Sequence, residues 1–245
     1  MLEVVNLGKK YYRQTKFAIE NFNFTFEKGE IIGIIGHNGA GKSTLIKSLT
    51  GAHHFNEGSI ILNDINIKTN PIEYKKKIGY VSDNHVTFEK MTGYEYVNFI
   101  ASLFGVPKSV VDKKITVLQQ SLGLGDAIYR LISSYSHGMK QKIAIMASIV
   151  HGPDLWVLDE PTNGLDPVIT DALHNMMLDY VKEKSKIIIF STHHLNSIIK
   201  VCDRVIVISK GVITDNIKVD NKTTYEYLDK LFKDSLNYEP ISITT

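Results

Sequence analysis

Phe22, Phe24 and Phe26 alternate with Asn21, Asn23 and Thr25, placing three rings on one face of an extended segment and polar groups on the other. That period of two predicts a half-buried strand. After a turn at Glu27-Lys28-Gly29-Glu30, the run Ile31-Ile32-Gly33-Ile34-Ile35 does not alternate, as in a strand covered on both faces of a parallel sheet. Similar runs occur at residues 78–81, 155–158, 187–190 and 205–208. Helices are predicted over 44–50, with Gly51 closing the first, and over the basic segment 71–77. Asp166-Pro167 opens another between the strands at 155 and 187. Residues 59–62 and 65–67, joined by Asn63-Asp64, predict a hairpin. From about 86 to 150 long amphipathic patterns dominate and no buried strand run occurs, so this stretch reads as a helical insertion. The whole predicts an α/β sandwich interrupted by helices. Beyond Gly211 come a short strand, a helix over 225–232 and a weakly patterned end expected to fray.

Composition narrows the classes. Of 245 residues, 43% are hydrophobic and 22% charged, with 28 basic against 26 acidic side chains, which excludes a disordered chain or a nucleic-acid coat. The longest apolar stretches, such as 143–149 and 155–158, fall well short of the roughly 18–20 residues that cross a bilayer. No span is expected, and the first residues carry no secretory pattern. Cys202 is the single cysteine, so no internal disulfide is expected and a reducing cytosol is the default.

Gly36-His37-Asn38-Gly39-Ala40-Gly41-Lys42-Ser43 matches G-x-x-x-x-G-K-[ST] between a predicted buried strand and a predicted helix. The glycines let successive N–H groups turn around phosphate oxygens, and the helix start at Thr44 adds positive potential. Lys42 supplies a cation and the Ser43 hydroxyl a ligand for Mg²⁺. The bland alternative is a glycine-rich turn with a surface lysine. A GTPase would normally add Asn-Lys-x-Asp, and Asn221-Lys222-Thr223-Thr224 lacks the aspartate.

Leu155-Trp156-Val157-Leu158 ends in Asp159-Glu160, so a buried strand delivers two acids to its carboxyl edge. Asp159 can hold the Mg²⁺ shell and Glu160 can accept a proton from, or orient, the attacking water. An isolated acidic pair would more often be a solvated strand end. Ile187-Ile188-Ile189-Phe190-Ser191-Thr192-His193 repeats the geometry and brings His193 to the edge where α/β sheets bind ligands, with His194 read as a surface residue pointing elsewhere.

With those residues placed, the sequence resembles the ATP-binding subunit of ABC transporters from about Leu2 to Gly211. The run from Asp159 to Pro167 is similar to that family's Walker B and D-loop, and Ser191-Thr192-His193 to its switch histidine. Tyr135-Ser136-His137-Gly138-Met139-Lys140-Gln141 falls where the family carries Leu-Ser-Gly-Gly-Gln and is similar to a variant of an exporter-rich branch. There Ser136 can cap a helix whose N–H groups face an anion. Asp83 stands where the family often has a glutamine that reaches Mg²⁺, and a carboxylate can ligate the same ion. Tyr11, in Lys9-Lys10-Tyr11-Tyr12, aligns with the family's adenine-stacking aromatic, with Tyr12 as its rival. Phe88, Tyr94, Tyr96 and Phe99 are expected to pack the helical insertion.

The resemblance implies a P-loop NTPase sandwich of ABC ATPase type, with an antiparallel β subdomain and the inserted helical subdomain, over residues 1–215, and a tail over 216–245. It implies ATP and Mg²⁺ as ligands and a head-to-tail ATPase dimer, identical or related in its two halves. Ser136 and Gly138 would lie across from the other chain's phosphate loop, and Asp166 would couple the subunits. With no span of its own, such a subunit would sit at the cytoplasmic face of the membrane on a separate permease, received by the insertion and the segment 83–93. Cargo would be exported peptide, drug or lipid. Two other readings stay open: a soluble ATPase of this family acting on nucleic acid or the ribosome, and a subunit for peptide-resistance sensing or immunity without net transport. No nucleic-acid partner is expected under the main reading.

Overall fold

A computed structural model describes residues 1–83, 88–183 and 185–237. The chain opens with β1 (Leu2–Lys9), β2 (Ile19–Phe26), β3 (Ile31–Ile35) and α1 (Lys42–Leu49). It continues through β4 (Glu57–Leu62), β5 (Ile65–Asn66), α2 (Pro71–Lys76) and β6 (Ile78–Val81). The insertion supplies α3 (Gly93–Leu103), α4 (Lys108–Ser121), two short 3₁₀ turns and α5 (His137–Ile149). Then come β7 (Leu155–Asp159), α6 (Pro167–Val181), β8 (Ile187–Ser191), α7 (Leu195–Val201), β9 (Arg204–Ser209), β10 (Val212–Lys218) and α8 (Tyr225–Asn237). Among the described residues, no helix is long and apolar enough to cross a membrane.

Two sheets form. β2-β1-β4-β5 is antiparallel, and β10-β9-β3-β8-β7-β6 is parallel except where β10 returns against β9. The predicted turn at Asn63-Asp64 has both residues at positive φ, 47° and 65°, as a tight hairpin between β4 and β5 requires.

The runs without alternation have a direct cause. Ile31 and Ile35 of β3 face the helical layer with Trp156, Leu158, Ile188 and Phe190, whereas Ile32, Ile34, Leu155, Val157, Ile187 and Ile189 face the antiparallel sheet and α1. Each central strand is therefore buried on both faces, and a polar residue on it is affordable only where the strand ends. Phe22, Phe24 and Phe26 all point into the second of these cores, as their alternation predicts.

His151 seals the junction between β6 and the insertion. Its ring stacks on Phe104 (centroids 3.8 Å, planes 14° apart), Nε2–H donates to the Ile78 carbonyl at 3.0 Å, and Nδ1 is buried without a partner among the described residues. Burial holds the imidazole down at about 4, against an ordinary value of 6.5. The unfolded chain therefore binds the extra proton first. The stabilisation is complete above pH 6.5, is lost as pH falls toward 4, and changes no further below that. His53 and His174 are shifted the same way by burial. Urea melts of His151→Phe, which keeps the stack, should show about 2 kcal/mol less loss between pH 7 and pH 5 than the wild type. An identical slope in the two proteins would assign the acid sensitivity to other groups.

Candidate functional site

Three neighbouring strands, β3, β8 and β7, run parallel and end on one edge. β3 leads into the loop from Gly36 to Ser43, β7 ends at Asp159, and β8 ends at Ser191. Asn38, Gly39, Gly41, Lys42, Ser43, Thr44, Asp83, Asp159 and Glu160 line a common cavity of about 230 Å³ there, with Ala18 as one wall.

The loop is built for anions. Gly41 precedes α1 at φ 116°, and a β-carbon there would lie 2.8 Å from Ile19 Cγ2 and 2.9 Å from the Ala18 carbonyl, so no other residue fits without a shift. Because glycine offers no side-chain cap, the first N–H groups of α1 are left for a ligand. Ala40 is fully buried in the core between the sheets, Gly36 presses on the β9 backbone, and the His37 ring turns back to the Asn38 carbonyl with Nδ1 at 2.7 Å. These three shape the loop rather than line the cavity. Lys42 Nζ lies along the loop, donating to the carbonyls of Gly36 (2.7 Å) and His37 (3.2 Å). Burial lowers its pKa, while the carboxylates of Glu160 and Asp159 oppose the shift.

The two acids are held unequally. Asp159 is buried; its Oδ1 accepts a hydrogen bond from the Ser191 hydroxyl at 2.6 Å and its Oδ2 has no partner among the described residues. An orphaned carboxylate oxygen next to the Ser43 hydroxyl and Asp83 suits Mg²⁺, which takes one or two carboxylates and draws its other ligands from phosphate and water. Glu160 has φ 49°, its N–H donates to Ser191 Oγ at 2.9 Å, and its Oε2 lies 2.9 Å from His193 Nδ1. The His193 ring is half exposed, so the pair sits at the mouth of the edge. His194 is exposed, as expected of a surface residue, but it does not point away from His193. Its ring lies beside that of His193 (centroids 4.0 Å, planes 41° apart), because Thr192 Oγ1 accepts the His194 N–H and folds the turn back.

Of the two adjacent tyrosines, Tyr12 is 87% exposed and packs on Arg13, whereas the Tyr11 hydroxyl lies 3.2 Å from Thr44 Oγ1 and 3.4 Å from His53 Nε2. Tyr11 is thus the ring beside the phosphate loop. Its contact with His53 is invisible in the sequence pattern, as His53 belongs to no motif.

Ser136 and Gly138 do not line this cavity. Ser136 caps α5, accepting from the Met139 N–H at 3.3 Å, and Gly138 packs against the Gly164 carbonyl so closely that a β-carbon would lie 2.5 Å from it. The His137 ring covers Gly164 on the other side. Gln141, buried, donates from Nε2 to the Pro161 carbonyl at 2.7 Å. The start of α5 is therefore strapped to the turn that follows Glu160. Asp166 ends that turn, where its carboxylate caps α6 by accepting from the Ile169 N–H at 3.0 Å. Ser191 and Gln141 carry contacts that no motif assigned to them, although Ser191 stood in a conspicuous polar triplet at a strand end.

The segment expected to receive a membrane partner falls partly on 84–87, outside the described residues. Beside it, an apolar groove of about 450 Å³ lies between α3, α5 and β6, lined by Tyr96, Ile100, Phe104, Ala144 and Ala147.

Residues 19–163 match the ABC transporter family. An uncharacterized ABC transporter ATP-binding protein of Methanocaldococcus jannaschii is 34% identical over 97% of this chain and 87% of its own length. The methionine import ATP-binding protein MetN of Clostridium acetobutylicum is 31% identical over 90% of this chain and 70% of its own. Among solved structures, one described as the ATP-binding subunit of an ABC transporter superposes with a TM-score of 0.88 at 28% identity, covering 96% of this chain and 99% of that one.

Proposed function

This chain belongs to the ABC transporter ATP-binding family and is an ATPase, and from that premise we propose that it binds MgATP at the β3–β8–β7 edge and pairs head to tail with a second ATPase subunit. Closure and hydrolysis then drive a separate permease at the cytoplasmic face of the membrane. One observation carries this reading: the cavity unites the phosphate loop, Asp159 and Glu160, while the start of α5 at Ser136 and Gly138 does not line it. A half-site and a helix start outside it on one chain are complementary between two copies, identical or related.

In the closed pair, Lys42 and the loop N–H groups hold the phosphates, and Tyr11 stacks on the base. Ser43, Asp83 and Asp159 would hold Mg²⁺, which neutralises phosphate charge. Glu160 takes a proton from, or orients, the attacking water, and His193 reads the γ-phosphate. Asp166, with the turn strapped to α5, links one site to the other. Because a ligand shifts a conformational equilibrium only by its differential affinity, contacts to the γ-phosphate made only in the closed pair make ATP, and not ADP, the closing ligand.

The apolar groove beside residue 83 supports docking of a helix from the permease. The Tyr-Ser-x-Gly-Met form and Asp83 support an exporter of peptide, drug or lipid, although resemblance to an import protein at 31% identity means that overall similarity does not fix direction. Purification from membranes should bring an integral membrane protein with this chain, and flux in sealed vesicles should show cargo leaving the side that holds ATP. Co-purification of RNA, or full-speed hydrolysis by an isolated monomer, would overturn the reading.

A further inference from the structure

The hydroxyl of Ser191 is fully buried on the central strand of the site edge, in register with Ile34 of β3 on one side and Asp159 of β7 on the other. It has one proton and two neighbours. The Glu160 N–H can only donate, so Oγ accepts from it at 2.9 Å and must give its own proton to Asp159 Oδ1. The 2.6 Å separation there is that of a charge-assisted O–H···O⁻ bond.

We infer that Ser191 is a positioning residue for hydrolysis, a single hydroxyl that orients Asp159 for the metal and Glu160 for water. It occupies Oδ1 and so leaves Oδ2 as the carboxylate oxygen without a partner among the described residues. It also ties down the N–H of Glu160 at φ 49°, a left-handed conformation that is strained for a non-glycine residue. From that backbone the glutamate side chain reaches His193. Ser191 does not line the cavity, so it acts through its two neighbours and touches no substrate.

The inference rests on Glu160 and Asp159 having the roles proposed above, and its test keeps the two apart. Ser191→Ala, Ser191→Thr, Ser191→Val and Glu160→Gln are compared in the complete transporter. ATP turnover is measured in each, and trinitrophenyl-ATP binding is titrated against Mg²⁺. Ser191→Ala should lose about 10- to 100-fold in kcat with KM for ATP nearly unchanged. It should also need several-fold more Mg²⁺ for half-maximal metal-dependent binding. The Thr and Val variants have the same shape and differ by the hydroxyl, so Thr near wild type and Val lowered by the roughly 10- to 100-fold expected of Ala supports the inference, and that pair decides it even where Ala fails to fold. Thr and Val equal in kcat and in Mg²⁺ dependence overturns it. Glu160→Gln at the wild-type rate instead removes the underlying reading of the base, whatever the serine variants do.

Discussion

Glu160→Gln should bind ATP within a few-fold of wild type and lose about 10²- to 10⁴-fold in turnover, the range set by a positioned general base. The change is nearly isosteric and leaves the backbone bond to Ser191 in place, so the left-handed turn and the Asp159 clamp should survive. What goes is the group that can accept a proton, along with the charge facing His193 across 2.9 Å. Uncleaved ATP should then hold two subunits together. Light scattering after gel filtration should give twice the monomer mass with MgATP and the monomer mass with ADP. Adding His193→Ala should lower turnover far less than it does in the wild type, because residues acting as a unit are strongly non-additive. Wild-type hydrolysis by Glu160→Gln would remove Glu160 as the base, and a monomer in ATP would remove the shared pocket.

Much of this was legible along the chain because the physics involved is local. Ile31–Ile35 declares itself by lacking alternation, and Asn63-Asp64 by tolerating positive φ. α1 begins at Lys42 rather than at the expected Thr44, since Gly41 provides no capping side chain to mark the start and the first turn belongs to the phosphate loop. The register of β1 breaks between Val4 and Leu7 and between Leu7 and Lys9, which blurs its period of two. β10 is half exposed at the sheet edge, so its burial pattern is weak. α8 runs on to Asn237 instead of ending near 232, with Leu228 buried in the helical core and the Ser235 carbonyl accepting from the Ser209 hydroxyl, a contact 26 residues away in sequence. The same limit applies at the site. The motifs marked most of the residues that line the cavity, but Ser191 to Asp159 and Gln141 to Pro161 are pairings across 32 and 20 residues that only strand register and helix packing create.

Lys42→Ala should weaken ATP binding by about 10- to 100-fold, the scale of one charge-assisted contact to phosphate in a partly dry site. Two features push the effect toward the upper end. Nζ is buried beside Asp159 and Glu160, so its loss leaves two carboxylates facing the incoming triphosphate without a fixed cation. The ammonium also fastens the carbonyls of Gly36 and His37, so the loop loses an internal brace. Lys42→Arg should not rescue, because a planar fork cannot place a point charge in the same 230 Å³ cavity while donating to both carbonyls. Thermal denaturation with and without MgATP gives the readout, since a ligand that binds the folded state adds RT ln(1 + [L]/Kd) of stability. At a fixed concentration well above the Kd of both proteins, a 100-fold weaker variant should gain about 2.7 kcal/mol less from ATP. An undiminished shift would mean that neither the charge of Lys42 nor its brace on the loop contributes to phosphate binding, and the cavity between β3 and β7 would lose its claim to the nucleotide.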